Sequence, residues 1–357
     1  MKQEKYRFDG EVSQIVKGIA IIIMVFHHLF GNLEWVMEGN RFFSIPFGSQ
    51  SLEYFFAVPG KICISIYAFL SGYGLYTSYQ HKKQNPKTAA KRVFSVLTNW
   101  WLIVLLCFLP LAIICEQQID YKTVLKHLLL IENKWCPFAD YLLFYVTALV
   151  TYPAIHWLLN KVNRPFLFFL GTPFVGMAVR KAIDLTVPQG ILYQILYFYF
   201  LYIAYIIAGS CVCQSKIFIK AHNWLNSKKW NKVWIKVILV FTVIPVRWLV
   251  KNKLIFDSFL ATMVVFLLVE IIQERQHSLI FRGMHFLGKH STNIWFMHAV
   301  FFFTFGEYTQ WIVYLPRVPL VIMIWCIVCC LPFSSIINLL QQKLWYILEK
   351  IIKKEES

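Results

Sequence analysis

The sequence predicts an all-α protein, a polytopic bundle of about ten transmembrane helices, and three observations carry this prediction. Of the 357 residues, 58% are hydrophobic and only 15% are charged, whereas a soluble domain carries about a quarter charged residues. Aromatic residues make up 18% of the chain, which suits the aromatic belts at membrane interfaces. Apolar runs of about 20 residues, the length that crosses a bilayer, recur along the chain. We expect one integral-membrane domain over 1–357 and no fused soluble domain.

The candidate spans follow from these apolar runs. In chain order they cover 13–32, 60–80, 93–115, 138–159, 165–180, 190–212, 233–250, 255–273, 285–305 and 318–340. The fifth is short, Pro245 and Arg247 interrupt the seventh, and Lys289 and His290 stand near the start of the ninth. A cleaved signal peptide is the alternative for the first run, but bulky residues follow it where a small-residue cleavage site would be needed.

The distribution of basic residues predicts the orientation. With the N-terminus inside, the inside segments hold 21 of the 35 Lys and Arg residues and the outside segments hold 10. This bias favours an even number of spans and two cytoplasmic termini, with 341–357 as a basic cytoplasmic tail. Basic loops facing anionic lipid explain the net charge of +17 without nucleic acid, and they also suit an anionic ligand that approaches from the cytoplasm.

Two adjacent histidines, His27 and His28, interrupt the first apolar run. An ionisable side chain within a span is costly, so it usually faces a protein interior or a water-filled cavity. Lys17 precedes His28 by eleven residues, which places both on one helix face about 16 Å apart, whereas His27 points about 80° away from Lys17. Because imidazole accepts a proton near neutral pH, His28 is the candidate base. A hydrogen bond to another helix is the alternative role, and it is the role we expect for His27, unless His27 forms a second polar wall of the cavity.

Cations and small residues in the first three spans suggest a binding surface. Lys17 lies near the inner interface, where it either snorkels to lipid phosphate or binds a phosphorylated ligand. Ser71 and Gly72 in the second span allow a helix or a ligand to approach the backbone closely, and helix packing alone explains them equally well. Lys91 and Arg92, just before the third span, are a stop signal or a phosphate contact.

The ninth span carries a second set of polar side chains. Ser291, Asn293 and His298 are expensive in lipid, and Ser291 and His298 are seven residues apart, close to one helix face. They indicate either a polar cavity or hydrogen bonds that join helices. The nine cysteines lack the paired spacing of a zinc site, so we expect no metal.

Together these segments resemble the integral-membrane acyltransferase family three, which includes bacterial polysaccharide O-acetyltransferases. Lys17-Gly-Ile-Ala with the two histidines is similar to that family's first-span motif, a basic residue followed after ten others by the key histidine, which selects His28. Its other motifs have counterparts in the family's order: these are Phe69 to Tyr73, Tyr141 to Pro153, and Ser291 to His298.

The chain also departs from the family pattern. Lys17 stands where the family more often has Arg, which weakens bidentate phosphate contacts. The family's Arg-x-x-Arg before span three appears here as Arg92-Val-Phe-Ser95, so Lys91 would have to supply the second cation. Trp295-Phe296 replaces the usual Tyr-Leu.

The resemblance implies a multi-pass enzyme of the bacterial cytoplasmic membrane. It would move an acyl group, expected to be acetyl, from acetyl-CoA to a hydroxyl of a cell-envelope polysaccharide or its lipid-linked precursor, with no permanently bound cofactor. Lys17, Lys91 and Arg92 would hold the CoA phosphates, with Ser71 and Gly72 beside the acyl donor. His28 would deprotonate the acceptor.

Three further expectations concern the same site. The residues that would line an acceptor cavity are His27, Ser291, Asn293 and His298. A covalent acyl-enzyme on Ser71 or Ser291 is an alternative mechanism, although neither serine has a base beside it in the sequence. A carrier or flippase for a lipid-linked saccharide is the alternative function. The sequence shows no internal repeat and no chain of carboxylates within a span, where Glu270 is the clearest single acid, and both observations argue against this alternative.

Overall fold

The computed structural model describes residues 6–37, 42–81, 86–227, 232–275 and 278–355. This part of the chain is helical almost throughout. Its strands are β1 (Pro46–Phe47) and β2 (Gln50–Ser51), an antiparallel pair in which Pro46 faces Ser51. The all-α prediction is therefore confirmed.

The α-helices, in chain order, are α1 (Gly10–Phe30), α2 (Leu52–Ala57), α3 (Cys63–His81), α4 (Pro86–Ile103), α5 (Leu109–Ile114), α6 (Tyr121–Leu128), α7 (Ala139–Lys161), α8 (Pro165–Thr186), α9 (Ile191–Ser215), α10 (Ile217–Asn226), α11 (Val233–Phe241), α12 (Val243–Leu249), α13 (Asp257–Arg275), α14 (Leu279–Met297), α15 (Gly306–Tyr314) and α16 (Pro319–Glu355). A π-helical turn, Val104–Phe108, joins α4 to α5, and 3₁₀ turns cover Leu33–Trp35, Val58–Ile62, Leu254–Phe256 and His298–Phe301.

Eight helical segments of the described residues are long and apolar enough to cross a membrane. They are Gly10–Phe30, Leu52–His81, Thr88–Ile114, Ala139–Lys161, Pro165–Thr186, Ile191–Ser215, Leu254–Arg275 and Pro319–Leu348. The other two predicted spans differ in form: the seventh is divided into the short helices α11 and α12, and the ninth is the more polar helix α14. The count of ten and the cytoplasmic termini stay predictions.

Helix α1 lies among other helices, and its start is fixed by a cap. The Asp9 carboxylate accepts hydrogen bonds from the backbone N–H groups of Glu11 and Val12, both at 3.1 Å, which satisfies donors that have no partner within the helix. Helices α3, α13, α14 and α16 all contact α1. The face that carries His28 therefore meets protein.

The direction of the helices defines two ends of the bundle. We call the end where α1 begins at Gly10 the N-terminal side, and the end where it stops at Phe30 the far side. Helix α3 returns to the N-terminal side, where Ser78 and His81 line a cavity of about 300 Å³ with Gly10. Helix α13 also ends there, since Gln273 accepts a hydrogen bond from the backbone N–H of Arg7 at 3.0 Å.

Glycines set the closest helix contacts. A Cβ on Gly72 of α3 would stand 1.9 Å from the backbone oxygen of Ile206 in α9, and one on Gly209 would stand 2.0 Å from that of Phe69. Gly18 of α1 makes the same kind of contact with α14. Small residues that let backbones touch are the usual basis of helix association in membranes.

Substitution of these glycines has a predictable effect. Gly72→Ala is expected to lower the free energy of unfolding by about 1–3 kcal/mol, because the new methyl group meets a backbone atom that cannot move aside. Gly74→Ala, two residues away on the same helix, meets nothing within 4 Å and is expected to be neutral or stabilising by up to about 1 kcal/mol. Thermal unfolding of both variants in one detergent checks this, and equal stabilities would contradict the packing role.

Candidate active site

Two histidines from opposite ends of the chain meet on the far side of the bundle. His28 near the end of α1 and His298 just after α14 are joined by a hydrogen bond of 2.6 Å between His28 Nδ1 and His298 Nε2. His298 is fully buried and His28 is 8% exposed. The two predicted polar spans therefore contribute to one site.

The partners of His298 determine which nitrogen atoms carry protons. His298 Nδ1 lies 2.9 Å from the backbone oxygen of Ile294, and a carbonyl can only accept, so Nδ1 is the donor. For two neutral imidazoles, His298 Nε2 then accepts from His28 Nδ1–H. His28 Nε2 is left with its lone pair, and it has no hydrogen-bond partner among the described residues. The sequence could not show what orients His28, whereas the structure shows a carbonyl–histidine–histidine chain.

Aromatic rings enclose the histidine pair. Phe138, immediately before α7, stacks on His28 with ring centroids 4.3 Å apart and lies 5.0 Å from His298. Trp35 lies 5.9 Å from His28 on the far side. These rings pack against the imidazole plane and form the apolar walls of the site.

His27 has a different environment from its neighbour. Its Nδ1 donates to the backbone oxygen of Ala57 at 2.8 Å, and Gly60 lies against its Cβ. This contact fixes α1 against the turn between α2 and α3. The geometry agrees with the structural role expected for His27.

Lys17 and Ser291 are both close to Tyr67 of α3. The Tyr67 hydroxyl donates to the backbone oxygen of Lys17 at 3.0 Å, and the Ser291 side chain lies close to it. The Lys17 side chain is half-buried and makes no ion pair or hydrogen bond with any described residue. A half-buried lysine that has no partner among the described residues is available to an anionic ligand.

A column of aromatic side chains connects the Lys17 level with the histidines. Trp295 lies 4.9 Å from Tyr67 and 4.4 Å from Tyr141, measured between ring centroids. Trp295 precedes His298 by three residues, and Tyr141 follows Phe138 by three residues, which is about one helical turn in each case. Tyr141 is therefore one turn to the N-terminal side of the histidine pair. Its buried hydroxyl has no hydrogen-bond partner among the described residues.

The remaining predicted cations, Lys91 and Arg92, are nearer the N-terminal side. Arg92 donates to the Ser78 hydroxyl at 2.5 Å, and its other terminal nitrogen is buried without a partner in the described part of the chain. Lys91 lies over the ring of Trp345, 5.0 Å from its centroid. Ser78 and Tyr67 are eleven residues apart on α3, so about 16 Å separates the Arg92 contact from the Tyr67 level. Lys17 and Arg92 therefore lie at different depths of the bundle.

Ser71 and Gly72 have packing roles in the structure. The Ser71 hydroxyl donates to the backbone oxygen of Tyr67 at 2.9 Å, and Gly72 contacts α9 as described above. Ser291 similarly donates to Gly288 at 2.8 Å. No hydrogen bond joins either serine to a histidine in the described part of the chain, which disfavours a serine nucleophile.

Asn293 belongs to a network that joins three helices. Its amide nitrogen donates to Asn338 at 2.9 Å and to Ser334 at 3.1 Å on α16, and its oxygen accepts from Asn99 of α4 at 2.8 Å. The side chain thus faces neighbouring helices, so the structural explanation for this polar residue is sufficient.

Two buried carboxylates on α13 are relevant to the carrier alternative. Asp257 pairs with Arg247 at 3.0 Å, and both side chains are fully buried. Glu270 pairs with Lys236 at 3.0 Å and with His222 at 2.7 Å. Each carboxylate has a cation from another helix, and such pairs hold helices together within a bilayer.

Sequence reasoning did not assign roles to Phe138, Tyr67, Trp35 or the free hydroxyl of Tyr141. Each owes its role to contacts that only the folded chain creates. Comparison of the chain with protein-family models, with curated proteins and with solved structures gives no match.

Proposed function

We propose that this protein is a membrane acyltransferase that moves an acyl group, expected to be acetyl, from acyl-CoA to a hydroxyl of a cell-envelope glycan or its lipid-linked precursor. The observation that carries the proposal is the hydrogen-bonded chain from Ile294 through His298 to His28. It leaves His28 Nε2 as an oriented base with a free lone pair, on a side chain that is largely buried. General bases need this combination of fixed geometry and a free lone pair.

The proposed step transfers one proton and one acyl group. The acceptor O–H gives its proton to His28 Nε2 while its oxygen attacks the thioester carbonyl. The C–S bond then breaks, and the leaving thiolate takes the proton from His28. Protonated His28 keeps its Nδ1–H bond to His298, which becomes a stronger, charge-assisted bond. His298 is in this account a positioning residue.

The donor would approach from the N-terminal side. Arg92 has a buried nitrogen without a partner among the described residues, and Lys17 is a half-buried lysine at the Tyr67 level, so the donor phosphates would have two successive contacts. The acyl end would continue along Trp295 and Tyr141 to the histidines. The CoA nucleotide itself is too charged to cross hydrocarbon.

Tyr141 supplies the donor that the developing oxyanion needs. Its unpaired hydroxyl would hydrogen-bond the thioester oxygen as negative charge forms there. Tyr141→Phe is expected to lower kcat by about 10²–10³-fold, the usual cost of one oxyanion donor. It is expected to leave stability unchanged or slightly higher, because the lost hydroxyl had no partner among the described residues.

Tyr152→Phe is the matched control on the same helix. The Tyr152 hydroxyl is hydrogen-bonded to Ser210 at 2.9 Å, so its loss should cost about 1 kcal/mol of stability and leave kcat unchanged. Steady-state rates and melting temperatures of both variants check the pair. Full activity in Tyr141→Phe would remove the oxyanion role.

The function itself is tested with purified wild-type protein in proteoliposomes. Labelled acetyl-CoA is supplied together with a panel of glycan acceptors, and label in the glycan is measured. Transfer that depends on protein and acceptor is the expected result. A folded wild-type protein that transfers no label to any acceptor would overturn the proposal.

A further inference from the structure

A second cavity lies on the far side, apart from the histidine pair. It encloses about 460 Å³ between α8, α9 and the turn that follows α12. Three of its lining residues are cations, Arg180, Lys251 and Lys253, and Asn252 lies among them. A cavity with this lining has the charge and the size for an anionic group.

These cations have no ion-pair partner among the described residues. The Arg180 guanidinium lies over the Tyr197 ring, 5.3 Å from its centroid. Like charges that share one cavity repel each other unless a counter-charge enters. Lys251 and Lys253 are exposed and Arg180 is half-buried, so the three positive charges lie at an accessible cavity and attract an anion to it.

Two buried polar atoms of the cavity lack partners. Arg180 Nε and the Asn252 side-chain oxygen are both buried without a hydrogen bond among the described residues. An unsatisfied buried donor or acceptor costs about 1–3 kcal/mol, more when it is charged. A ligand that brings phosphate oxygens, and a hydroxyl or water for the Asn252 oxygen, would remove that cost.

The turn that presents these groups is strained and fixed. Lys251 and Asn252 both have a φ of 53°, a left-handed conformation that is costly for lysine. The backbone N–H of Asn252 donates to Arg247 at 2.7 Å, and the Tyr205 hydroxyl donates to Leu254 at 2.9 Å. Strain held by surrounding contacts is typical of binding sites.

The rest of the cavity wall is apolar, which limits the ligand class. Pro173, Met177, Phe200, Leu201 and Ile255 line it beside the cations. We propose that the cavity binds the phosphate ester of an amphiphile, with the phosphate on the three cations and the hydrocarbon along this apolar wall. Two sources share that chemistry, a phospholipid headgroup and the phosphate of a lipid-linked saccharide. Only the lipid-linked saccharide rests on the proposed function, in which its lipid carries the glycan acceptor.

The test measures binding to the purified full-length protein in a nonionic detergent. The probes are dioctanoyl phosphatidylglycerol, farnesyl diphosphate and uncharged farnesol. We expect both charged probes to bind, with affinities that fall as salt rises, and farnesol to bind at least tenfold more weakly. Tighter binding of the phosphatidylglycerol identifies the phospholipid as the source, and tighter binding of the diphosphate identifies the lipid-linked saccharide.

Matched variants assign the binding to this cavity. Arg180→Gln is expected to weaken the binding of both charged probes at least tenfold. Lys181→Gln changes the next residue on α8, which lies outside the cavity lining, and is expected to leave binding unchanged. The double variant Lys251→Gln/Lys253→Gln, at exposed positions, repeats the test if Arg180→Gln does not fold. Equal binding of farnesol, or unchanged binding in the cavity variants, would overturn the inference. The test includes no acyl-transfer measurement, so a failure of this inference can be distinguished from a failure of the proposed function.

Discussion

Replacing His28 by alanine is expected to lower the rate of acyl transfer by about 10²–10⁴-fold, the usual contribution of a general base. The structure gives the reason, because His28 Nε2 has the oriented lone pair while His298 uses both of its nitrogen atoms in hydrogen bonds. The loss should appear in kcat, with the KM for acyl-CoA little changed, since the donor phosphates are bound elsewhere. Label-transfer kinetics in proteoliposomes measure both constants.

The outcome for His298 separates positioning from chemistry. His298→Ala should lower kcat less than His28→Ala does, because the base remains but loses the acceptor that fixes its orientation. A transfer rate in His28→Ala equal to that of the wild type would contradict the role of His28 as general base. A larger loss in His298→Ala than in His28→Ala would instead transfer the basic role to His298.

The largest stability effect is expected at the buried ion pair of Arg247 and Asp257. Both side chains are fully buried, their ion pair spans 3.0 Å, and Arg247 also donates to the backbone oxygen of Pro59. Arg247→Met leaves Asp257 as an unpaired buried charge, so a loss of about 3–5 kcal/mol is expected. Pro59 lies two residues after Ala57, whose backbone oxygen accepts the hydrogen bond of His27. The turn beside the candidate active site should therefore loosen as well.

Two comparisons make this prediction specific. The double variant Arg247→Met/Asp257→Leu removes both charges and should recover most of the lost stability. Lys134→Met breaks the pair with Glu132, in which the lysine is 79% exposed, and should cost less than about 1 kcal/mol. Unfolding midpoints of the three variants in one detergent provide the measurement. A double variant no more stable than Arg247→Met would contradict the charge argument.

Much of the fold follows from local sequence properties. Helix α1 is predicted at 13–32 and covers Gly10–Phe30, because an apolar run of this length is a local signal. The Asp9 cap, which the prediction did not include, sets the earlier start. Hydropathy fails where polar side chains have partners on other helices. Asn293 on α14 forms hydrogen bonds with α16 and α4, and Arg247 on α12 pairs with Asp257 of α13. These polar residues lower the hydropathy of both segments below that of an ordinary span.

The candidate site was predictable in its parts and not in its assembly. Helical periodicity places Lys17 and His28 on one face, and the spacing of Ser291 and His298 suggests a second polar face. The contact between His28 and His298 joins residues 270 positions apart, so only the packing of α1 beside α14 creates it. The same holds for Tyr141, whose importance lies in a buried hydroxyl without a hydrogen-bond partner among the described residues. The sequence alone allows Gly72 to contact either a ligand or another helix, and the structure shows that it contacts Ile206 of α9.

The central claim is that His28 Nε2 accepts the proton of the acceptor hydroxyl. The most direct measurement compares label transfer from acetyl-CoA by the wild type, His28→Asn and His27→Asn, at equal amounts of folded protein. Asparagine places an amide N–H near the position of Nδ1, so His28→Asn can keep the hydrogen bond to His298 while it lacks the basic nitrogen. We expect His28→Asn to lose transfer by at least 10²-fold and His27→Asn, which can keep its bond to Ala57, to retain it. Transfer by His28→Asn at the wild-type rate would contradict the account.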